Sequence, residues 1–211
     1  MSTLTDMKAR IASELRRSDL TSDIANAISS SIQAYQTKHF LVNENDSIAF
    51  NTVQGQDTYT AADNADIPNI LKIDYVYVII GSAPYELVRR PIQAIKDVNL
   101  WPLFTAQPYQ FCWYAQKLNV SPIPNSAYQI KIGCITKKAA PATDNEADNF
   151  WMNEGERLIR CRAKAELYAH VIKKLDQAEV YGELAAEALD QLEKQTSTLE
   201  GDGVVQPIPF W

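Results

Sequence analysis

The side chains of this sequence that could take part in catalysis are carboxylates between positions 144 and 156. Hydrolysis of a glycosidic bond needs two carboxyl groups that flank a cleft. Four acidic residues are close enough in sequence to be considered: Asp144, Asp148, Glu154 and Glu156. The same stretch precedes and opens a predicted helix, where the helix dipole stabilises negative charge. Because this structural role is sufficient, we expect no enzyme and keep a hydrolase as an alternative.

No other pattern in the sequence predicts a chemical site. The two histidines, His39 and His170, are too far apart in sequence for the spacing of a metal-binding pair. The seven glycines form neither a phosphate-binding loop nor a nucleophile elbow. We therefore expect no catalytic residue, no metal and no cofactor.

Composition and charge indicate an ordinary globular protein. The 211 residues are 46% apolar, enough for one core or two smaller ones. The net charge is -6 and the 20 Lys and Arg residues are scattered, whereas dedicated nucleic-acid binders cluster them. Three cysteines, Cys112, Cys134 and Cys161, are expected to be buried thiols of a protein made in a cytosol. Residues 1–6 do not resemble a signal peptide and the longest apolar run, 75–80, is too short to cross a bilayer, so we expect neither export nor membrane insertion.

The elements at the N-terminal end are predicted to be two helices. Apolar residues recur at steps of three and four in two stretches, separated near Ser18. Thr3 and Asp6 are placed like a capping pair for the first helix, and Thr21 is predicted to be the N-cap of the second. The two apolar stripes are Leu4, Met7, Ile11 and Leu15, followed by Ile24, Ile28, Ile32 and Tyr35.

The middle of the chain changes to a period of two, which is typical of strands. The residues Gly55, Gln56 and Asp57 are predicted to turn between two strands of a hairpin, 50–53 and 58–60. The strongest strand is 71–80, in which Ile73, Tyr75, Tyr77 and Ile79 are expected to share one face. Other strands are predicted at 85–89, 109–114, 117–120 and 128–136, with one or two helical turns at 91–98.

A long helical pattern covers residues 151–196. Unbroken, it would be about 70 Å long, more than the roughly 43 Å diameter of a compact chain of this length. We expect a break around 176–182 and a second half that projects from the domain. The inner stripe of the first half is Leu158, Ile159, Cys161, Ala165, Tyr168, Ile172 and Leu175. Apolar residues of the second half are candidates for a protein interface: Leu184, Leu189 and Leu192.

The last eleven residues follow the helix and are unusually apolar for a terminus. Gly201 and Gly203 allow the chain to leave the helix at any angle, and the alternating prolines favour an extended path. We name residues 201–211 the tail. Its interface candidates are Val204, Val205, Pro207, Ile208, Pro209, Phe210 and Trp211. The tail either folds back on its own domain or, as we favour, inserts into another subunit by strand addition or groove filling.

Together these elements predict an α+β fold. N- and C-terminal helices pack as a bundle, with a mostly antiparallel β-sheet or sandwich inserted between them and an extended C-terminal tail. The predicted parts are 1–45 helical, 46–147 β-rich, 148–200 helical and packed on 1–45, and 201–211 the tail.

Several landmarks in this order resemble the head-to-tail adaptor (connector) proteins of short-tailed bacteriophages. In the N-terminal half they are Leu4-x-x-Met7-Lys8-x-Arg10-Ile11-x-x-Glu14-Leu15, Asp19-Leu20-Thr21-x-x-Ile24-x-x-Ala27-Ile28, Phe50-x-Thr52-x-x-Gly55-Gln56-x-x-Tyr59, and Ile67-Pro68 with Ile73-Asp74. In the C-terminal half they are Pro108-x-x-Phe111, Leu118-x-Val120-x-Pro122-x-Pro124, Asn149-x-Trp151, and Glu156-x-Leu158-Ile159-Arg160-x-x-Ala163-Lys164. The likeness extends to about residue 195.

The resemblance implies a structural virion protein, made in the host cytoplasm and located at the head–tail interface. Such a protein forms a homo-oligomeric ring of about twelve copies, binds the portal and a tail (nozzle or tube) protein, and lets dsDNA pass without specific binding. An acidic subunit is compatible with that passage because it does not hold phosphates. The alternatives are a tail-completion or stopper protein of the tail tube, and a virion-associated peptidoglycan hydrolase.

Overall fold

The computed structural model describes residues 2–100 and 104–200, except for the side chains of 198–200. The described residues divide into a helical unit, 2–42 with 138–200, and a β unit, Asn43–Lys137. The β unit therefore ends ten residues before the predicted 147. Residues 138–147 belong to the helical unit because they bind it: the Thr5 amide donates to the Asp144 carbonyl at 3.0 Å, and the Lys8 ammonium pairs with the Asp144 carboxylate at 2.8 Å.

The first two helices are α1, Leu4–Leu15, and α2, Thr21–Tyr35. The predicted capping pair is present, since the Asp6 amide donates to Thr3 Oγ1 and the Thr3 amide donates to the Asp6 carboxylate. The prediction of Thr21 as N-cap is wrong: Leu20 occupies that position, and the Thr21 hydroxyl instead donates to the Ser18 carbonyl. The predicted stripes face the core, where Met7, Ile11, Ile24, Ile28 and Ile32 are buried.

The β unit contains two four-stranded sheets among its described residues, with strand orders β1-β10-β3-β4 and β2-β8-β7-β5. The pairing is antiparallel except for β5 with β7 and β6 with β9. Helix α3, Ile92–Asn99, lies between β5 and β6 in sequence. The strands are β1 Glu44–Asn51, β2 Thr58–Tyr59, β3 Ile70–Ile80, β4 Ala83–Glu86, β5 Val88–Arg89, β6 Thr105–Ala106, β7 Gln110–Tyr114, β8 Lys117–Ser121, β9 Ile123–Pro124 and β10 Gln129–Thr136. The α+β class is confirmed.

The predicted hairpin at residues 50–60 is wrong. Strand β1 pairs with β10 and β2 pairs with β8, so the turn at Gly55 carries the chain from one sheet to the other. Tyr59 holds this crossing: its side chain is fully buried, and its hydroxyl accepts from the Val53 amide at 3.2 Å and donates to the Gln56 carbonyl at 2.8 Å. Two strands with alternating apolar residues, separated by a turn, can pair with each other or belong to different sheets. The sequence pattern is the same in both cases, so it did not distinguish them.

The faces of β3 also differ from the prediction. Asp74 has no partner in β10, because Ile73 pairs with Cys134 and Tyr75 with Gly133. This bulge shifts the alternation, so Ile73, Val76 and Val78 are buried while Tyr75 lies on the other face. The Tyr75 ring covers Gly133, and a Cβ at that glycine would come within 2.1 Å of Tyr75 Cζ.

The C-terminal helical stretch is a hairpin. After a 3-10 turn at Phe150–Met152, α4, Glu156–Glu166, continues as a π-helical turn, Leu167–Ile172, and α5 spans Leu175–Glu200. The break is at Lys173, with a φ of 59°, and not within 176–182. The prediction of a projecting second half is wrong, because α5 runs back along α4: Arg157 pairs with Glu187 at 2.9 Å, and the Tyr168 and Tyr181 rings stack at 5.5 Å.

The core of the helical unit contains Trp151, Met152, Ile159 and Leu167 together with the α1 and α2 stripes. The three cysteines are buried, unpaired thiols, as predicted. Burial raises the pKa of the Cys134 thiol to about 11. Over the described ranges, every helix is too short or too polar to cross a bilayer.

Candidate assembly surfaces

An ion-pair network joins α1 to α4 in the helical unit. The Glu14 carboxylate pairs with the Lys164 ammonium at 2.6 Å and with the Arg160 guanidinium at 2.7 Å. Arg160 also binds Glu156 at 2.9 Å, and Arg10 reaches Glu14 and Glu156 at 3.3 Å each. These residues stand at steps of four along each helix, so one face of α4 meets one face of α1.

The network is built to hold helices together. Burial alone would raise the pKa of Glu14, but the hydrogen bond and charge of Lys164, with the charges of Arg160 and Arg10, lower that pKa below its ordinary value. The Lys164 side chain is only 5% exposed, and its ammonium lies 4.0 Å from the centre of the Tyr181 ring of α5. The buried ammonium of Lys164 on α4 thus contacts both Glu14 of α1 and Tyr181 of α5.

The four carboxylates considered for hydrolysis do not form an acid–base pair in a cleft. Asp144 is bound by Lys8, and Glu156 by Arg160 and Arg10. Asp148 is exposed, with a left-handed backbone at a φ of 62°. Glu154 is also exposed and lines a groove described below, where it is the one carboxylate among the described lining residues. Among the residues that the structure describes, no group of three His, Cys, Asp or Glu side chains is arranged to hold a metal ion.

A groove runs along the C-terminal half of α5. Its first depression, of about 250 Å³, has an apolar wall, and a second depression of about 220 Å³ adjoins it. The two share Glu154, Leu192 and Gln195. We call both together the apolar groove. Its apolar wall consists of Phe40, Leu41, Val42, Phe150 and Leu192.

Specific contacts form the apolar groove. Thr196 Oγ1 accepts from the Leu41 amide at 3.2 Å and donates to the Leu192 carbonyl at 3.0 Å, which ties the chain after α2 to α5. Lys38 and Glu193 pair at 2.9 Å beside it. The Phe40 ring packs 5.6 Å from that of Phe150, so the floor of the groove is aromatic.

The interface residues predicted from the sequence do not lie together on one surface of the structure. Leu192 lines both depressions of the apolar groove. Leu184 and Leu189 are partly buried and pack against the core clusters of the helical unit. The tail candidates lie outside the described residues: Val204, Val205, Pro207, Ile208, Pro209, Phe210 and Trp211.

The turn between α4 and α5 carries an apolar surface that the sequence reading missed. Leu175 is 71% exposed, Val180 48% and Val171 40%. We call these three residues the hairpin end. The sequence pattern predicts Leu175 in the inner stripe, which is wrong: Leu175 lies outside because the left-handed Lys173 reverses the chain just before it. Two neighbouring lysines, 173 and 174, were the available signal that the helical pattern ends there.

A third depression, of about 420 Å³, lies on the helical unit between α2 and the hairpin of α4 and α5. Small residues form much of its lining, including Ser30, Ala165, Ala169 and Gly182. Its charged residues are Arg162 and Glu166, with His170 nearby. The Ser30 hydroxyl and the His170 imidazole both line it, but no hydrogen bond joins them among the described residues, so the depression lacks the nucleophile–base contact of a catalytic centre.

The subunit has an α+β fold in which ion pairs join its N- and C-terminal helices. It also carries an apolar groove and an exposed apolar hairpin end. These features are typical of a structural assembly protein. The chain belongs to the family described as SU10 adaptor protein, which it matches over residues 2–206. This family of structural bacteriophage proteins confirms the resemblance to head-to-tail adaptors. A comparison with curated proteins finds no match. Five of the residues that carried the resemblance form the ion-pair network: Arg10, Glu14, Glu156, Arg160 and Lys164.

Proposed function

We propose that this chain is the adaptor subunit that joins the portal to the tail. In this role about twelve copies form a ring under the portal, extend the DNA channel and provide a platform for a tail protein. The observation that carries the proposal is the family match over residues 2–206. The ring itself, its copy number and the position at the head–tail interface of the virion are parts of the proposal.

The helical unit offers surface for such contacts. A ring subunit contacts its two neighbours through different patches, and the centres of stable interfaces are apolar. The hairpin end consists of Val171, Leu175 and Val180, whose side chains are exposed to solvent in the free subunit. The apolar groove, Leu184, Leu189 and the tail residues 204–211 are the other candidates that we assign to assembly.

The charge of the subunit suits a channel through which DNA moves. A protein that neutralises many phosphates binds DNA tightly by releasing counterions. With a net charge of -6, this subunit has no excess of cations with which to do so. We propose that dsDNA passes along the ring without specific binding.

Co-sedimentation with purified portal rings tests the function. We expect this protein to travel with the portal in a density gradient, in a ratio that fits twelve copies per ring. Binding to tail-tube parts alone would replace the proposal with a tail-completion or stopper protein. Clearing of peptidoglycan, lost on Glu156→Gln, would replace it with the hydrolase.

A further inference from the structure

We propose that, in the free subunit, residues 204–211 bind the apolar groove of their own chain. The groove and the segment complement each other in position, chemistry and size. This proposal concerns the subunit before assembly and so goes beyond the adaptor function. If it holds, the segment has to leave the groove before it can contact a neighbour or the portal.

The segment starts close to the groove. Helix α5 ends at Glu200, four residues beyond Thr196, so the distance along the helix axis is about 6 Å. The next three residues include Gly201 and Gly203, which can take the backbone conformations of a reversal. From Ala188 to Thr196 the groove is about 12 Å long, while eight extended residues reach about 26 Å. The segment is therefore long enough to lie along the whole groove.

The chemistry of the two surfaces matches. The segment carries Val204, Val205, Ile208, Phe210 and Trp211 and has no charged side chain. The wall of the first depression is aliphatic and aromatic, and Glu154, Gln195 and Thr196 complete its lining. The second depression contributes Leu158, Ala188 and Leu192, together with Gln191 and with Arg157, whose charge is paired with Glu187. The two depressions, about 250 and 220 Å³, are smaller than the roughly 300–1,000 Å³ of small-molecule pockets. Adjoining hollows of this size suit successive side chains of a peptide.

Strand addition, the other way in which a linear segment docks, is disfavoured by the edges of the sheet β1-β10-β3-β4. The Leu87 amide donates to the Val76 carbonyl of β3, so alternate residues of β4, Pro84 and Glu86, face outward. Pro84 lacks the N–H that an added strand would need. At the β1 edge, the Ala49 carbonyl already accepts from Asn64 Nδ2, and just beyond the end of β1 the Val53 amide donates to Tyr59.

The edges of the second sheet are short. Strands β2 and β5 have two residues each, Thr58–Tyr59 and Val88–Arg89. Two residues provide too few backbone hydrogen bonds to hold an eight-residue segment. Groove filling is therefore the docking mode that the described surfaces support.

Disulfide trapping in the full-length protein tests the proposal. The test variant carries Gln195→Cys, which lines the groove, and Gln206→Cys in the segment. The matched control carries Ser197→Cys with Gln206→Cys. Ser197 is exposed and two residues along α5, so it points about 200° away while the connecting chain is nearly the same length. The native cysteines are buried and unchanged in both variants.

We expect the test variant to form an intramolecular disulfide about tenfold faster than the control under a mild oxidant, because docking raises the local concentration of the two thiols. Adding Phe210→Ser and Trp211→Ser should lower its rate to that of the control. Equal rates in test and control would overturn the proposal. Disulfide-linked dimers in place of the monomeric product would also overturn it, since the groove would then hold the segment of another copy. The experiment uses no portal, so its failure is distinct from failure of the adaptor function.

Discussion

Among the described residues, the helical unit buries one charged side chain, Lys164, whereas every buried polar side chain of the β unit is neutral. In the helical unit, Lys164 is 4% exposed and is held by Glu14. In the β unit, Tyr59 and Thr52 are buried, and Thr52 Oγ1 accepts from the Tyr128 amide at 2.8 Å. Ion pairs respond to pH and to loss of one partner far more than neutral hydrogen bonds do. The two units should therefore lose stability under different changes of pH and under different substitutions.

The difference in buried polar groups between the two units also matches the order of their elements along the chain. The ion pairs of the helical unit join α1 to α4, elements near opposite ends of the sequence. They fix two chain segments that the β unit separates. The β unit joins its own two ends by backbone hydrogen bonds instead, because its first strand, β1, pairs with its last, β10. We infer that the ion pairs specify how the two ends come together, while apolar burial supplies most of the stability.

The largest expected effect is on the buried lysine. Glu14→Gln leaves the Lys164 ammonium buried without its carboxylate and should lower the free energy of unfolding by about 3 kcal/mol. Urea unfolding measures this loss. Adding Lys164→Met should recover part of it, because no charge then stays buried. Glu187→Gln is the matched control in an exposed pair, with an expected change within about 0.5 kcal/mol. Equal effects of the two Gln variants would contradict the contrast between the units.

The next effect is in the β unit. Tyr59→Phe removes a hydroxyl that donates to Gln56 and accepts from Val53, so we expect a loss of about 2 kcal/mol. Burial raises the pKa of Tyr59 to about 12, so the hydroxyl keeps its proton across the ordinary range. Urea unfolding at pH 6 and at pH 8 should give the same loss. A loss that changed between these pH values would mean that a titrating group had been overlooked.

Gly133→Ala tests the cover that Tyr75 provides. The new Cβ would overlap the Tyr75 ring, and the ring is partly exposed and can move away. We expect a loss of about 1 kcal/mol. Tyr75→Ala should remove the conflict, so Gly133→Ala should cost less in that background. Additive losses in the double variant would show that the ring and the glycine do not interact.

Acid should weaken the helical unit through Glu14. Its pKa is lowered in the folded protein, so the unfolded chain binds a proton more readily. The contribution of Glu14 is present above its ordinary pKa of 4.5 and is lost as pH falls through the lower folded value. Urea midpoints measured from pH 6 down to pH 3 should fall more steeply for the wild type than for Glu14→Gln. Parallel curves would contradict the assignment.

The smallest effect on stability, and the one most specific to assembly, is at the hairpin end. Leu175→Asp should change the free energy of unfolding by less than about 0.5 kcal/mol, because Leu175 is 71% exposed. We expect it to weaken portal or ring binding by about tenfold, equivalent to ~1.4 kcal/mol. Gln177→Asp places the same charge two residues along the same exposed turn and should bind normally. Normal binding by both variants would exclude the hairpin end from assembly.

Local patterns in the sequence predicted the elements better than their connections. The stripes of α1 and α2, the capping pair Thr3 and Asp6, and the strands 71–80 and 128–136 all have short-range signals, and each is present. The crossing at Gly55 and the shifted face of β3 depend on pairing partners far away in sequence. A bulge opposite Gly133 has no signature in the β3 residues themselves.

The candidate surfaces were only partly predictable. Leucines 184, 189 and 192 were identified by periodicity, but periodicity does not say whether a stripe faces its own core or another chain. The reversal at Lys173 decided that question and covered the stripe of α5 with α4. The ion-pair network could have been predicted, because its charged residues are spaced four apart along each helix. They are Glu156, Arg160 and Lys164 on one helix and Arg10 and Glu14 on the other.

Electron microscopy of this protein mixed with purified portal rings tests the central claim most directly. The account predicts a ring of about twelve copies on one end of the portal, coaxial with its channel and made through the helical unit. A portal that stayed bare at saturating protein, or copies bound off the channel axis, would contradict it.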